Sequence, residues 1–190
     1  MLISVHPGVF HPGFFFSTKL LLNAIAQQDL KGKNFLELGA GAGMISVYAA
    51  KRGANVTATD ISTESILALR QNRLQNSVEF DIIRSDLFEE IPEQSFDIIA
   101  INPPYYKKNA RNAAELAWCC GENGEYFERM FDQLRHFMHE SSQVLMVLCE
   151  GCDLDMIRNM AIQKGYQFNC ILTRQNVLEK DYIYKIESAA

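Results

Sequence analysis

The stretch NFLELGAGAGMISVYAAKRG, residues 34–53, decides the fold. It reads as a strand over 34–38, a glycine turn at Gly39, Gly41 and Gly43, and a helix over 43–51. A strand that passes through glycines into a helix turns backbone N–H groups toward a ligand at the helix N-terminus. The dinucleotide fingerprint G-x-G-x-x-G carries its third glycine one residue further on. Met44 holds that place here, so the spacing is G-x-G-x-G. This argues against NAD and for a cofactor without a pyrophosphate.

Three more strand ends follow in order. NVTATD (55–60) is a short strand ending at Asp60, 21 residues past Gly39. A carboxylate at about that distance can accept hydrogen bonds from both ribose hydroxyls. The strand-like run 79–84 leads to Asp86, an acid placed to meet an adenine amino group. FDIIAI (96–101) has the pattern of a buried strand and runs into Asn102-Pro103-Pro104-Tyr105. Two prolines fix φ and lack N–H groups, so the strand cannot continue. The residue before a proline is pushed to extended geometry. The loop is therefore stiff, and it presents an amide oxygen, a bare carbonyl and an aromatic ring. Such parts can grip a planar –NH2 group.

Beyond these motifs, strands and helices alternate. A helix with an apolar stripe is expected over 18–28, with Ser17 or Thr18 as N-cap. After the elements above come a helix at 63–75, a helix at 123–139, a strand at 142–149, a helix at 153–164, and strands at 167–173 and 181–187. The alternation predicts an α/β fold with a mostly parallel sheet and helices on both faces. No helix separates the last two strands, so they should pair as an antiparallel hairpin.

The chain has 190 residues, 48% hydrophobic and 22% charged, which fits one globular domain spanning 1–190. No apolar run approaches the roughly 18 residues of a membrane span. The start MLISVHPGVF lacks a basic region followed by an apolar core, so a cytoplasmic location is expected. The net charge of −5 lacks the strongly basic balance of a nucleic-acid binder. Lys107, Lys108 and Arg111 form the one basic cluster near the proposed site. Five cysteines (Cys119, Cys120, Cys149, Cys152, Cys170) do not read as a disulfide framework. Cys149 and Cys152 have C-x-x-C spacing, but nothing shows a second pair meeting them, and no metal is expected. His136 and His139 stand three apart on the predicted helix 123–139, without catalytic spacing.

ELGAGAG, TATD, SDLF and NPPY together resemble the motifs of class I S-adenosylmethionine-dependent methyltransferases. NPPY resembles the subset that methylates planar nitrogens: adenine-N6, guanine-N2 or a glutamine side-chain amide. PGVFHPGFFFSTKLLLNAI (7–25) is similar to the segment before the glycine loop in the small-domain superfamily. AELAWCCGENGEYFERMFDQL (114–134) resembles HemK/PrmC-type chains, above all their short stand-alone form. The resemblance implies a Rossmann-like three-layer sandwich whose seven-stranded sheet has its last strand antiparallel. It implies binding of S-adenosyl-L-methionine, with S-adenosyl-L-homocysteine as product. Contacts are expected from Thr18, Glu37, Gly39, Ala40, Gly41 and Gly43, and from Asp60, Ile61, Asp86, Leu87 and Asn102. Residues 1–17 would cover the cofactor, with Phe14 to Phe16 as a lid or as core. Two extra residues lie between Pro12 and Thr18 relative to HemK-like chains, and the phenylalanines replace an acidic stretch.

Catalysis is expected from Asn102, Pro103 and Tyr105. Hydrogen bonds from the substrate –NH2 to the Asn102 oxygen and the Pro103 carbonyl would stabilise developing positive charge, while Tyr105 stacks on the planar group. Glu37 would bind the cofactor's amino group or brace the glycine loop. The substrate reading is a protein glutamine amide, of the release-factor type. The alternatives are a base nitrogen in RNA or DNA, or a cofactor-binding subunit without activity. Some short HemK-like enzymes work with a small zinc-binding activator subunit, and such a partner is an open expectation here. The helical N-terminal domain with which bacterial PrmC docks on release factors is not part of this sequence.

Overall fold

The computed structural model describes residues 1–6, 9, 16–175 and 179–189. Five helices and seven strands follow one another: α1 (Phe16–Ile25), β1 (Asn34–Leu38), α2 (Met44–Lys51), β2 (Asn55–Asp60), α3 (Thr63–Gln75), β3 (Asp81–Arg84) and β4 (Phe96–Ile101). Then come α4 (Glu125–Leu134), β5 (Met138–Cys149), α5 (Leu154–Gln163), β6 (Tyr166–Gln175) and β7 (Lys180–Ser188). Among the described residues no helix is long and apolar enough to cross a membrane.

The strands form one seven-stranded sheet in the order β3-β2-β1-β4-β5-β7-β6. All neighbours from β3 to β5 pair in parallel. β7 pairs antiparallel with both β5 and β6, so it alone is reversed, and it is inserted between them. The expected hairpin is present, with its second strand on the inside. The order reverses at β1 and β4, and in open α/β sheets such a switch point opens a crevice at the strands' carboxyl ends.

Residues alternate across the sheet, and each face has its own core. Ile98 and Ala100 of β4 face Leu21 and Ile25 of α1, Ile45 of α2 and Leu69 of α3. Ile99 and Ile101 face Phe127, Phe131 and Leu134 of α4 and Ile157 of α5. Strands buried on both faces read as continuous apolar runs, which is why FDIIAI stood out.

The predicted helix 123–139 is a correction. α4 ends at Leu134, a 3-10 turn spans Arg135–Phe137, and β5 starts at Met138. Phe137 is drawn into the core, where its ring stacks on Phe88 at 4.8 Å. Met138 then pairs with Phe96, and the Ser142 hydroxyl donates to the Phe96 carbonyl at 2.6 Å. These partners from β4 outweigh continued helix. His139 therefore lies on a strand beside Asp97 at 3.5 Å, and the two histidines do not share a helix face. A short 3-10 turn at Ala113–Ala117 was not foreseen.

Gly43 shows why the turn needs its third glycine. It caps α2 with φ 75°, and a Cβ there would overlap the Leu69 side chain of α3. Gly39 has a similar φ of 73°, but a Cβ would meet nothing within 4 Å. Both substitutions carry left-handed strain of about 1–2 kcal/mol, and only Gly43→Ala adds overpacking of about 1–3 kcal/mol. Urea unfolding should show Gly43→Ala as clearly the more destabilising of the two; equal losses would refute the packing role.

Candidate active site

The parallel register sets the geometry. Leu38 of β1 pairs with Thr59 of β2 on one side and Ile101 of β4 on the other. The next residues, Gly39, Asp60 and Asn102, therefore stand in one row at the carboxyl ends of these strands, with neighbouring strands about 4.8 Å apart. Above them opens a cavity of about 790 Å³. Its size lies within the usual range for small-molecule sites, about 300–1,000 Å³.

Of the expected residues, Thr18, Glu37, Gly39, Ala40, Gly41 and Asp60 line this cavity, as do Ile61, Asp86, Leu87, Asn102, Pro103 and Tyr105. Gly43 is not on the wall; its space is taken by Leu69. Val9 of the 1–17 segment is on the wall, whereas Phe14 and Phe15 lie outside the described residues.

Asp60 organises the glycine turn. One carboxylate oxygen accepts from the Gly41 N–H at 2.8 Å and the other from the Ser62 N–H at 2.9 Å. Burial pushes its pKa up, and these N–H donors pull it back. Glu37 braces the start of α2: its Oε2 accepts from the Ser46 N–H at 2.7 Å and also from the Ser46 hydroxyl. These bonds go to the first turn of α2, as a helix cap's would, and not to the glycine loop that Glu37 was expected to brace; the carboxyl stands at the cavity wall. Leu87 adopts φ 53°, a left-handed conformation costly for a side chain with a Cβ, and is buried. Asp86 holds Arg129 at 2.8 Å, and Arg129 also reaches Glu89 at 2.8 Å.

On the other side of the crevice, the Asn102 side-chain N–H donates to the Thr18 hydroxyl at 3.3 Å. This ties α1 to the NPPY loop and leaves Oδ1 as the amide's acceptor. The backbone N–H groups of Tyr105 and Tyr106 donate to the Trp118 carbonyl at 3.1 and 2.7 Å. The Tyr106 and Trp118 rings lie 6.3 Å apart, so Trp118 packs the loop that follows NPPY. Burial raises the Tyr105 phenol, so it stays neutral.

Among the wall residues that sequence reading missed are two from α4. Tyr126 and Arg129 come from the first turns of α4. The Tyr126 phenol is pushed up by burial, with the Asp60 and Asp86 charges adding to it. Their i, i+3 spacing places them on one helix face, but only the tertiary fold shows that this face meets the cavity. The basic cluster is partly neutralised, since Lys107 pairs with Asp153 at 2.9 Å. The Cys149 and Cys152 sulfurs lie 3.7 Å apart as free thiols. Among the described residues no group of three or more His, Cys, Asp or Glu could hold a metal ion.

The charge balance of the wall fits a cationic cofactor. Among the described residues, five carboxyl side chains (Glu37, Asp60, Glu64, Asp86 and Glu125) line the cavity against one cation, Arg129. Such a wall repels a pyrophosphate and favours a sulfonium bearing an ammonium group. Gly39 leaves open the space that a Cβ would fill, so backbone can approach a ligand there.

Sheet order, glycine cradle and acid-lined crevice define an S-adenosylmethionine-dependent methyltransferase. The chain belongs to the methyltransferase small domain family, whose sequence profile matches residues 1–150. A relative from Methanocaldococcus jannaschii, MJ0928, provisionally named a protein N5-glutamine methyltransferase, is 31% identical over 148 residues, 75% of this chain and 73% of its own length. The E. cuniculi Mtq2-Trm112 complex, responsible for methylation of the eRF1 translation termination factor, superposes with a TM-score of 0.73 at 23% identity, covering 96% of this chain and 99% of that one. The T. thermophilus 16S rRNA N2 G1207 methyltransferase, solved with AdoMet and guanosine, gives 0.70 at 22% identity, covering 96% of this chain and 46% of that one. At these identities the two structures attest the fold.

Glu37 supplies a pH test. Burial pushes its carboxyl from 4.5 up to about 7, against the Ser46 hydrogen bonds, with the Asp60 charge adding slightly. The native state therefore holds this proton more tightly than the unfolded chain. The resulting stabilisation is complete below pH 4.5 and is lost as pH rises through about 7. The stability of wild type minus that of Glu37→Gln should fall by about 3 kcal/mol across that window in urea titrations. A flat difference would show that Glu37 titrates as an ordinary carboxyl.

Proposed function

We propose that the chain transfers a methyl group from S-adenosylmethionine to a planar nitrogen, and that the acceptor is a glutamine side-chain amide in a protein. The observation that carries this reading is the Asn102 carboxamide. Thr18 holds its N–H end, and its place in the strand register sets it beside the glycine turn. The reading makes the chain a HemK/PrmC-type enzyme.

When bound, S-adenosylmethionine supplies an electrophilic methyl on its sulfonium. The glycine turn and Asp60 would hold the cofactor, Asp60 accepting from ribose hydroxyls through the lone pairs left over by its bonds from the Gly41 and Ser62 N–H groups. Asp86, Leu87 and Tyr126 form the wall for the base. Asn102 Oδ1 and the Pro103 carbonyl accept hydrogen bonds from the substrate –NH2 and orient its nitrogen. They would stabilise the positive charge on nitrogen as the methyl–nitrogen bond forms and the methyl–sulfur bond breaks; S-adenosylhomocysteine would leave, and the surplus N–H proton would pass to water. Tyr105, neutral and partly buried on the cavity wall, would stack on the amide plane.

Three observations favour a protein acceptor. The wall is acidic, which opposes the close approach of a phosphate backbone. The net charge is −5. MJ0928 and Mtq2 both carry names tied to protein methylation. The Mtq2-Trm112 pairing also supports a small activator subunit as partner. The competing reading, a base nitrogen in RNA, draws on the guanosine-bound relative of like fold and on Lys108, Arg111 and the half-exposed Tyr106 near the mouth.

Incubation with radiolabelled S-adenosylmethionine and a cell extract tests the acceptor. Label should survive nuclease, disappear with protease, and appear as N5-methylglutamine after digestion. Label lost to nuclease would transfer the enzyme to the nucleic-acid class. Asn102→Ala should cut turnover roughly 100- to 1,000-fold, as loss of one preorganised hydrogen-bonding group does elsewhere. Titration with S-adenosylhomocysteine should show its cofactor binding largely kept. Full turnover by this variant would remove Asn102 from the mechanism.

A further inference from the structure

Residues 2–6 run along α3 in a regular pattern. The Leu2 N–H donates to the Asn76 side-chain oxygen at 3.1 Å, and the Asn76 side-chain N–H returns to the Leu2 carbonyl at 2.6 Å. Two residues on, the Ser4 N–H donates to the Asn72 oxygen at 2.8 Å, and the Asn72 N–H returns to the Ser4 carbonyl at 2.7 Å. Ser4 Oγ also bonds to Gln75, and His6 Nε2 meets Gln71 Oε1 at 2.6 Å. The match is metrical. Two extended residues rise about 6.6 Å, and four helical residues rise about 6 Å, so two carboxamides at i and i+4 can serve alternate residues of a strand.

The segment runs antiparallel to α3, toward the end of that helix that faces the cavity. Beyond His6 the Val9 N–H returns to the His6 carbonyl at 3.1 Å. The Val9 side chain forms part of the cavity wall, 3.8 Å from where a Gly41 Cβ would stand. Residues 2–6 and Val9 thus form a strap fastened to α3, with its far end over the glycine turn.

Asn72 differs from Asn76 in one respect. It has no exposed surface, and its amide also donates to the Ala42 carbonyl at 2.8 Å, inside the turn between Gly41 and Gly43. Asn76 spends its second N–H on its own helix, at the Asn72 carbonyl. One buried carboxamide therefore holds the strap and the cofactor cradle together. If either moved, a buried amide hydrogen or oxygen would lose its partner, which is costly away from water.

We propose that Asn72 is a positioning residue that couples docking of the N-terminal strap to binding of the cofactor in the glycine turn. The inference rests on the reading that this cavity holds S-adenosylmethionine. By linkage, a ligand held by the turn fastens the strap, and a fastened strap tightens the ligand by the same factor. Asn72 touches no reacting atom. Its loss acts on cofactor affinity and leaves the methyl-transfer step at saturating cofactor nearly intact.

A double-mutant cycle on the full chain tests this, with S-adenosylhomocysteine as the calorimetric probe. Ser4→Pro removes the N–H given to Asn72 and leaves Asn72 in place. Asn72→Ala removes the coupler, and Asn76→Ala removes one anchor without touching the turn. Ser4→Pro and Asn72→Ala should each weaken binding roughly tenfold, in the ordinary range of coupling between sites, and Asn76→Ala less. The double variant Ser4→Pro/Asn72→Ala should bind no worse than Asn72→Ala alone. The cofactor KM should rise while kcat holds, a split that simple destabilisation would not produce. Hydrogen exchange of residues 1–6 should slow when the probe is added to wild type, and not in Ser4→Pro. Should Asn72→Ala fail to fold, Ser4→Pro and the exchange experiment still decide. Wild-type affinity in Ser4→Pro, additive losses in the double variant, or exchange indifferent to the probe would overturn the coupling. No binding by wild type would overturn the cofactor reading, and the coupling with it.

Discussion

The pairing of β1 with β4 is the constraint on which the molecule's chemistry depends. These strands are distant in sequence and adjacent in space, and helices leave them in opposite directions along the sheet. Their register places Leu38 opposite Ile101. A glycine turn and a proline-stiffened loop then begin side by side, with no room for either to shift independently. A slip of one residue would turn the side chains of a strand to the opposite face, and both cores forbid it. The geometry of the crevice is therefore inherited from apolar packing well below it. Glu37 and Asp60 refine it by fastening the turn's N–H groups and the start of α2.

Electrostatics add a second layer. Acidic groups surround the crevice, and burial holds two of them, Glu37 and Asp60, in surroundings that resist ionisation. Glu37 is the extreme, a nearly dry acid bonded to Ser46 by backbone and hydroxyl. A permanent cation would relieve this accumulated negative charge. Charge thus disfavours a pyrophosphate on this wall, although the glycine turn is so like that of a dinucleotide site.

Much of this was legible from local pattern. Strand ends were visible because apolar runs stop at glycine, aspartate or proline, each with its own backbone reason to stop. Asp60 and Asn102 were found because they sit directly at such stops. What the pattern hid depends on contacts between distant elements. Tyr126 and Arg129 sit on an amphipathic helix whose polar face gives no hint that it meets a cavity. The end of that helix was overrun because Phe137 and Met138 suit a helical stripe as well as a strand start. Only Phe88 and Phe96, some forty residues earlier, decide between them. Gly43 was grouped with its neighbours on spacing, yet its constraint comes from Leu69 on another helix. Asn72 and Asn76 looked like ordinary polar positions, since their partners lie some seventy residues away.

The reversed strand has a consequence for how the protein is made. β6 touches the sheet only through β7, which is synthesised after it. While β7 remains inside the ribosome, β6 has nothing to pair with, and the far edge of β5 stays bare. The nascent protein thus carries an unsatisfied sheet margin until β7 has emerged, an opening in which a chaperone, or a wrong strand, could dock.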